Sequence, residues 1–436
     1  MGKTQTSFVC QQCGYISATF LGKCPNCDSW NSIVETLTTS KPFRGNTGRS
    51  TNLARVLALS EVKDITTTRI PTGFSELDRV LGGGIVLGAV TLVAGNPGIG
   101  KSTLLLELAG KLGGLYVSGE ESPSQIKLRA NRLRVKMDRL FVYNETDVDT
   151  ICTQIQETKP QVVIIDSIQT MVLSDLVGTA GSVGQVREST NRLINTVKPL
   201  GIPLFLIGHV TKEGAIAGPK VLEHLVDTVL YLEGEQFHSF RILRSTKNRF
   251  GPTDEVGVFK MVEKGMEEVQ NPSDIFLGER VKNVPGSVVV ATKEGNRIIL
   301  IEIQALVIPT SLAMPRRVGN GVDYNRLQLL VAVLTKRLGL PLSTSDIYVN
   351  VAGGLTLSEP AADLGIALSI LSSARNKAID PKTVVFGELG LLGEVRMVPD
   401  VEKRAKEAKK LGFTTVITPM DFKNLSEVSR RVLSAG

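Results

Sequence analysis

"AVTLVAGNPGIGKSTLLLELAGKL", residues 89–112, runs from an apolar strand through a glycine-rich loop into a helical stretch, and its centre decides the fold. Gly95-Asn96-Pro97-Gly98-Ile99-Gly100-Lys101-Ser102, followed by Thr103, fits G-x-x-x-x-G-K-[ST] with the preceding strand and following helix that the motif requires. Glycines let backbone N–H groups close round phosphate oxygens, Lys101 can reach the β- and γ-phosphates, and the Ser102 hydroxyl can be offered to Mg2+. The segment predicts an α/β P-loop core that holds ATP and Mg2+ through Gly95 to Thr103.

Such a core needs a carboxylate for the metal and a base for the attacking water, both at the C-terminal ends of neighbouring parallel strands. "QVVIIDS" (161–167) ends an apolar run on Asp166, the expected metal acid. "GLYVSGEES" (114–122) ends another on Glu120 and Glu121; Glu120 is assigned as base, with Glu121 as its understudy. Ser122-Pro123 reads as a helix start, where acids are also favoured electrostatically. The next segment, "SQIKLRANRLRVKMDRL" (124–140), sets Ile126, Ala130, Leu133, Met137 and Leu140 on one helical stripe. Arg129, Arg132, Lys136 and Arg139 fall on an adjacent stripe, read as a solvated basic face or a phosphate-backbone track. "IPLFLIGHVTK" (202–212) brings His209 to a third strand end, where a γ-phosphate sensor would sit. Two long glycine-rich loops, at 173–189 and 211–220, are candidates for moving contacts.

"FHSFRILRSTKNRFG" (237–251) alternates as a strand and ends on Lys247-Asn248-Arg249-Phe250-Gly251. The two cations are expected at or just past a strand end, at the edge of the core. In ring ATPases, charge developing on the transferred phosphoryl is met by cations from the adjacent subunit. Lys247 and Arg249 are therefore expected to act on a neighbour's γ-phosphate, with DNA contact as the second reading.

At the other end of the chain, "CQQCGYISATFLGKCPNCDSW" places Cys10, Cys13, Cys24 and Cys27 as two CxxC pairs. Four thiolates at this spacing suit tetrahedral Zn2+, and the segment holds too little apolar material to fold without it. Four sulfur ligands leave no open position, so the metal is structural. Cys152 stands alone in a helical stretch and reads as a core residue. The chain of 436 residues carries 50 Lys+Arg against 43 Asp+Glu, a mild positive excess. No apolar run reaches the roughly 18 to 20 residues of a membrane span, so a cytoplasmic protein with no membrane partner is expected. The expected domains are a zinc finger at 1–35, a linker at 36–66 with one short helix at 53–62, an ATPase domain at 67–268 and a C-terminal domain at 269–436.

Taken in order, the cysteine knuckle, "GNPGIGKST", "VVIIDS" and "STKNRFG" closely resemble the bacterial RadA (Sms) family of RecA-like DNA-repair ATPases. The region from 269 onward is similar to the proteolytic domain of Lon. The resemblance implies a RecA-like core forming a homo-oligomeric, hexameric ring, with ATP hydrolysed between subunits. It also implies binding of single-stranded and branched DNA, and branch migration or helicase-like unwinding alongside the RecA recombinase. Lon-type peptidases use a Ser nucleophile and a Lys base; alignment with "EPAADLGIAL" and "LLGEVRMVPDVEKRAKEA" puts Asp363 and Glu402 in those slots. Neither can do that chemistry, so peptidase activity is expected to be absent unless Ser358 takes over. Arg316-Arg317 and the helix bearing Arg404, Lys406, Lys409 and Lys410 are the candidate DNA surfaces there. The alternatives are an ATP-dependent Lon-like protease and an ATP-driven switch that ignores DNA.

Overall fold

A computed structural model describes residues 4–10, 16–25, 30, 32–39, 69–209, 219–234 and 240–434. The chain divides into two compact units, Met1–Glu268 and Val269–Gly436. Cys13, Cys27, residues 40–66 of the expected linker with its helix, and residues 211–218 of the second glycine-rich loop lie outside the described residues, while residues 36–39, expected to open the linker, are in a β-strand.

The N-terminal part of the first unit is a three-stranded antiparallel sheet of β1 (Thr4–Cys10), β2 (Ile16–Ser17) and β3 (Ile33–Thr39), in the order β2-β1-β3. Cys10 and Cys24 are both buried, in one small cluster with Ile33.

Its main body alternates helix and strand as α1 (Ser75–Leu81), β4 (Val90–Gly95), α2 (Lys101–Leu112), β5 (Gly114–Ser118), α3 (Pro123–Arg132), β6 (Leu140–Asn144), α4 (Val148–Thr158), β7 (Val163–Asp166), α5 (Val183–Leu200), β8 (Leu204–His209) and β9 (Thr228–Glu233). Three further strands follow, β10 (Phe240–Asn248), β11 (Val256–Val262) and β12 (Gly265–Glu268). They form one sheet in the order β12-β11-β10-β9-β4-β8-β7-β5-β6. The strands from β9 to β6 are mutually parallel, and β10 to β12 extend the sheet antiparallel. Parallel strands are covered on both faces and read as unbroken apolar runs. The two faces nonetheless feed separate cores: Val93, Tyr116, Ile164 and Phe205 pack with the helix residues Leu104 and Leu108 on one side. Leu92, Val117, Ile165 and Leu206 pack with Ile151 and Val186 on the other. Cys152 is buried in that second core, as its place in the sequence suggested.

Helix α3 departs from the periodicity. Ser122 caps its N-terminus in a capping box with Gln125, but the helix ends at Arg132, and Arg134 takes a left-handed φ of 53°. The amphipathic stripe expected to reach Leu140 is cut: Met137 is 41% exposed and Leu140 opens β6.

The second unit contains α6 (Pro272–Gly278), β13 (Ser287–Glu294), β14 (Arg297–Pro309), β15 (Arg317–Asn320), α7 (Tyr324–Leu338), β16 (Ser345–Val351), α8 (Asp363–Arg375) and β17 (Thr383–Val385). After these come β18 (Glu388–Leu389), β19 (Val395–Arg396), α9 (Val401–Lys410), β20 (Thr415–Ile417) and α10 (Leu425–Ser434). The main sheet runs β15-β16-β14-β13-β17-β20, and β18 pairs with β19. Arg317 opens strand β15, and its guanidinium donates to the Leu342 and Ser345 carbonyls.

Candidate active site

Strand register gathers the nucleotide-handling residues. Gly95 at the end of β4 pairs with His209 at the end of β8, and Ser118 at the end of β5 pairs with Asp166 at the end of β7. The phosphate loop, Glu120, Asp166 and His209 thus share the C-terminal edge of the parallel strands, where open α/β sheets bind ligands. Two glycines in the loop have no substitute. Gly95 has φ 153°, and a Cβ there would lie 2.5 Å from the Leu232 carbonyl oxygen. Gly100, φ 115°, caps α2 and would strike the Met261 and Met266 methyls.

Lys101 is the first residue of α2 and only 3% exposed. Its Nζ donates to the Gly95 carbonyl at 2.8 Å and the Asn96 carbonyl at 3.0 Å. Burial pushes its pKa down to about 8, with Asp166 and Glu120 opposing the shift. The ammonium is therefore held by main-chain carbonyls and paired with no carboxylate among the described residues, which leaves its charge for an incoming phosphate.

The two glutamates after β5 separate cleanly. Ser167 Oγ donates to Glu120 Oε1 at 2.9 Å, and the other oxygen of Glu120 accepts nothing from the described residues. Both oxygens of Glu121 instead lie against Arg129 Nη1, at 2.9 and 2.7 Å. Glu121 is consumed by an ion pair and Glu120 is open to a water. Arg129 itself leaves the solvated basic stripe expected of it, because α3 turns that residue inward. Its Nη2 donates to the Tyr116 hydroxyl at 3.0 Å, and that hydroxyl donates to Asp166 Oδ2. Tyr116 sits inside an apolar run and Arg129 among other cations, so neither stood out in the sequence.

His209 carries an imidazole whose pKa burial and the Lys101 charge hold below the ordinary value, so the ring is neutral at pH 7. Its buried Nδ1 and the nearby Gln169 Oε1 have no hydrogen-bond partner among the described residues, and Gln169 Nε2 reaches the His209 carbonyl at 3.4 Å.

Lys247 and Arg249 are elsewhere. β10 ends on Asn248, which puts Lys247 and Arg249 at and just past a strand end as expected, and it lies between β9 and β11 in the sheet. It runs antiparallel to β9, so its last residues reach the end of the sheet opposite the phosphate loop. Lys247 pairs with Val229, whose partner on β4 is Leu92, three residues before Gly95 and about 10 Å away at some 3.3 Å per residue. Lys247 Nζ donates to the Glu223 and Val226 carbonyls at 2.6 and 2.8 Å. Arg249, 54% exposed, reaches Asp227 at 3.2 Å, and Asp227 also accepts from Lys198 and from the Val90 N–H at the start of β4. The opposite pole thus carries a compact cationic knot.

In the second unit two buried charges, Asp363 and Arg404, are tied up. Asp363, in the nucleophile slot, is buried at the start of α8; it accepts from Arg326 Nε at 2.7 Å, from Arg326 Nη2 and from the Leu389 N–H at 3.2 Å. Glu402 is exposed on α9, as is Ser358 on its loop. Arg404, expected on a DNA-facing surface, is 0% exposed and pairs with Glu359 beneath α9 while donating to the Ala291 and Pro399 carbonyls. Acceptors distant in sequence draw it inward.

The donor sets fit the groups the motifs imply. Asp166 and Ser102 beside Lys101 suit Mg2+ with a nucleotide polyphosphate, and Cys10 and Cys24, buried together, suit a share in a Zn2+ site.

Family models match residues 58–215 as an AAA domain, 8–35 as a rubredoxin metal binding domain and 326–422 as subunit ChlI of Mg-chelatase. The DNA repair protein RadA of Halalkalibacterium halodurans is 53% identical over 96% of this chain and 93% of its own length. That of Bacillus subtilis is 51% identical over the same shares. The chain belongs to the RadA family of DNA repair proteins. Among solved structures the RadB recombinase aligns at 22% identity and a TM-score of 0.37, covering 46% of this chain and 99% of its own. The family fold is a RecA-like P-loop ATPase core with an N-terminal zinc ribbon and a Lon-protease-like α/β unit. No helix among the described residues is long and apolar enough to cross a membrane.

Proposed function

We propose that this RadA-family protein is a DNA-dependent ATPase that processes recombination intermediates. It binds single-stranded DNA and drives branch migration or unwinding alongside RecA, as a ring of like subunits with the expected six members. The observation that carries the reading is the division of one sheet into two poles. The phosphate loop, Glu120 and Asp166 occupy one, and the Lys247–Arg249 knot occupies the other.

In hydrolysis, Glu120 orients a water and accepts its proton as the oxygen attacks the γ-phosphoryl, while ADP departs with the electrons of the broken bond. Asp166 and Ser102 would hold Mg2+, which would supply charge neutralisation on the polyphosphate, and Lys101 adds positive charge from the loop. Lys247 and Arg249 face away from their own subunit's loop, so the phosphate they meet is a neighbour's. Zn2+ on Cys10, Cys13, Cys24 and Cys27 is structural. The Lon-like unit serves as scaffold: Asp363 is locked in an ion pair and cannot form an acyl-enzyme.

The test is a labelled forked or three-strand DNA incubated with protein and ATP, with Lys101→Ala as control. Strand displacement by wild type alone is expected. Displacement by both sinks the motor reading, and ATP turnover indifferent to single-stranded DNA at low salt would instead favour a switch. Casein cleavage by the purified protein would revive the protease. Lys247→Ala is expected to bind DNA but lose stimulated hydrolysis; loss of binding first would move this residue to the DNA contact.

A further inference from the structure

Tyr116 and Arg129 stand behind Asp166 with no hydrogen bond to the phosphate loop among the described residues, and their geometry forms a continuous chain of polar contacts. Glu121 fixes Arg129 Nη1, Arg129 Nη2 donates to the Tyr116 hydroxyl at 3.0 Å, and that hydroxyl spends its one proton on Asp166 Oδ2. The guanidinium also lies 5.9 Å from the Tyr116 ring centroid. Every link crosses between elements: Glu121 follows β5, Arg129 is on α3, Tyr116 is in β5 and Asp166 ends β7.

We propose that Tyr116 and Arg129 are positioning residues for the magnesium acid, fixing one oxygen of Asp166 so that the other faces the metal site, with α3 as their support. This rests on Asp166 being that acid. A carboxylate at a strand end can rotate about its last torsion, and a donor on one oxygen removes that freedom. The donor is dependable. Tyr116 is fully buried, and its hydroxyl hydrogen goes to Asp166 Oδ2. Arg129 occupies the remaining phenol lone pair, so Asp166 faces a hydroxyl whose orientation is already set. Glu121, the carboxylate next to the base, thereby acquires a task distinct from its neighbour's: it anchors the far end of the chain.

The test measures the Mg2+ concentration that half-saturates binding of a fluorescent, slowly hydrolysed ATP analogue to the full chain, alongside thermal melting. Tyr116→Phe keeps the ring and deletes the donor. It is expected to raise half-saturating Mg2+ about tenfold, the lower range for removing a partner of a metal-ligating group, while leaving affinity without Mg2+ and the melting temperature as in wild type. Arg129→Met is expected to shift in the same direction, Arg129→Lys by less, and the Tyr116→Phe/Arg129→Met double variant no further than Tyr116→Phe alone. Wild-type half-saturation in folded Tyr116→Phe overturns the proposal; should that variant unfold, Arg129→Met decides by the same criterion. Asp166→Asn separates the two layers. If it shifts Mg2+ dependence and the others do not, only the positioning chain is wrong. If Asp166→Asn leaves the dependence unchanged, the assignment of the magnesium acid fails as well.

Discussion

The ATPase edge and the interior of the Lon-like unit are built from the same ingredients, buried carboxylates close to cations, and use them oppositely. In the Lon-like unit, Asp363 accepts from Arg326 Nε and Nη2 and a backbone N–H, and Glu359 takes Arg404, whose remaining donors go to carbonyls. These two carboxylates are both matched by a guanidinium. At the ATPase edge Lys101 rests on two carbonyls without a carboxylate partner among the described residues, and Glu120 holds a single serine hydroxyl. A buried charge becomes a site when its neighbours only hold it in place, and becomes scaffold when they neutralise it.

Removing one member of a matched pair should do the greater damage to folding. Arg404→Met leaves Glu359 facing a buried guanidinium's former place, and a loss of about 3–5 kcal/mol in denaturant unfolding is expected, as for other buried pairs broken from one side. A loss below about 1 kcal/mol would erase the contrast, since that is the range of surface pairs. Glu120→Gln should invert the pattern. Its ATP turnover should fall by about a hundredfold or more, the usual contribution of a general base, with unfolding midpoint unchanged. Equal destabilisation by the two substitutions would make Glu120 a structural acid.

A smaller effect sharpens the comparison through pH. Burial lowers the Lys101 pKa to about 8, so the free enzyme loses this charge as pH rises through that value. A polyphosphate favours the protonated form, and nucleotide affinity should therefore be full below pH 7 and decline by about tenfold for each unit above 8. Lys101→Met should bind weakly with no such slope. A wild-type affinity flat from pH 7 to 9.5 would remove Lys101 from the phosphate contact.

Much of this was legible in the sequence because it is local. The phosphate loop announces itself through glycine spacing, and Asp166 and Glu120 through their place at the ends of apolar runs, since parallel strands deliver their last residues to one edge. The rest depended on partners far along the chain. Tyr116 in "GLYVS" reads as core, and only α3 folding back shows its hydroxyl in use. Arg129 matched a basic stripe that the early end of α3 at Arg132 dissolves. Arg404 looked like one more cation on a soluble helix, while its acceptors Ala291 and Glu359 lie 113 and 45 residues away. The position of Lys247 depended on β9 docking beside β4 and β10 returning antiparallel to it, which no periodicity encodes.

The two-pole sheet makes its most direct claim in a mixing experiment. Lys101→Ala subunits have an intact Lys247 pole and a dead loop, and Lys247→Ala subunits have the reverse; each protein alone should hydrolyse ATP poorly in the presence of single-stranded DNA. If the poles meet across a head-to-tail interface, random equimolar mixing should create about a quarter of interfaces with both halves intact, and DNA-stimulated hydrolysis should reappear. A mixture as inactive as its components at every ratio, with exchange of subunits verified, would contradict the account.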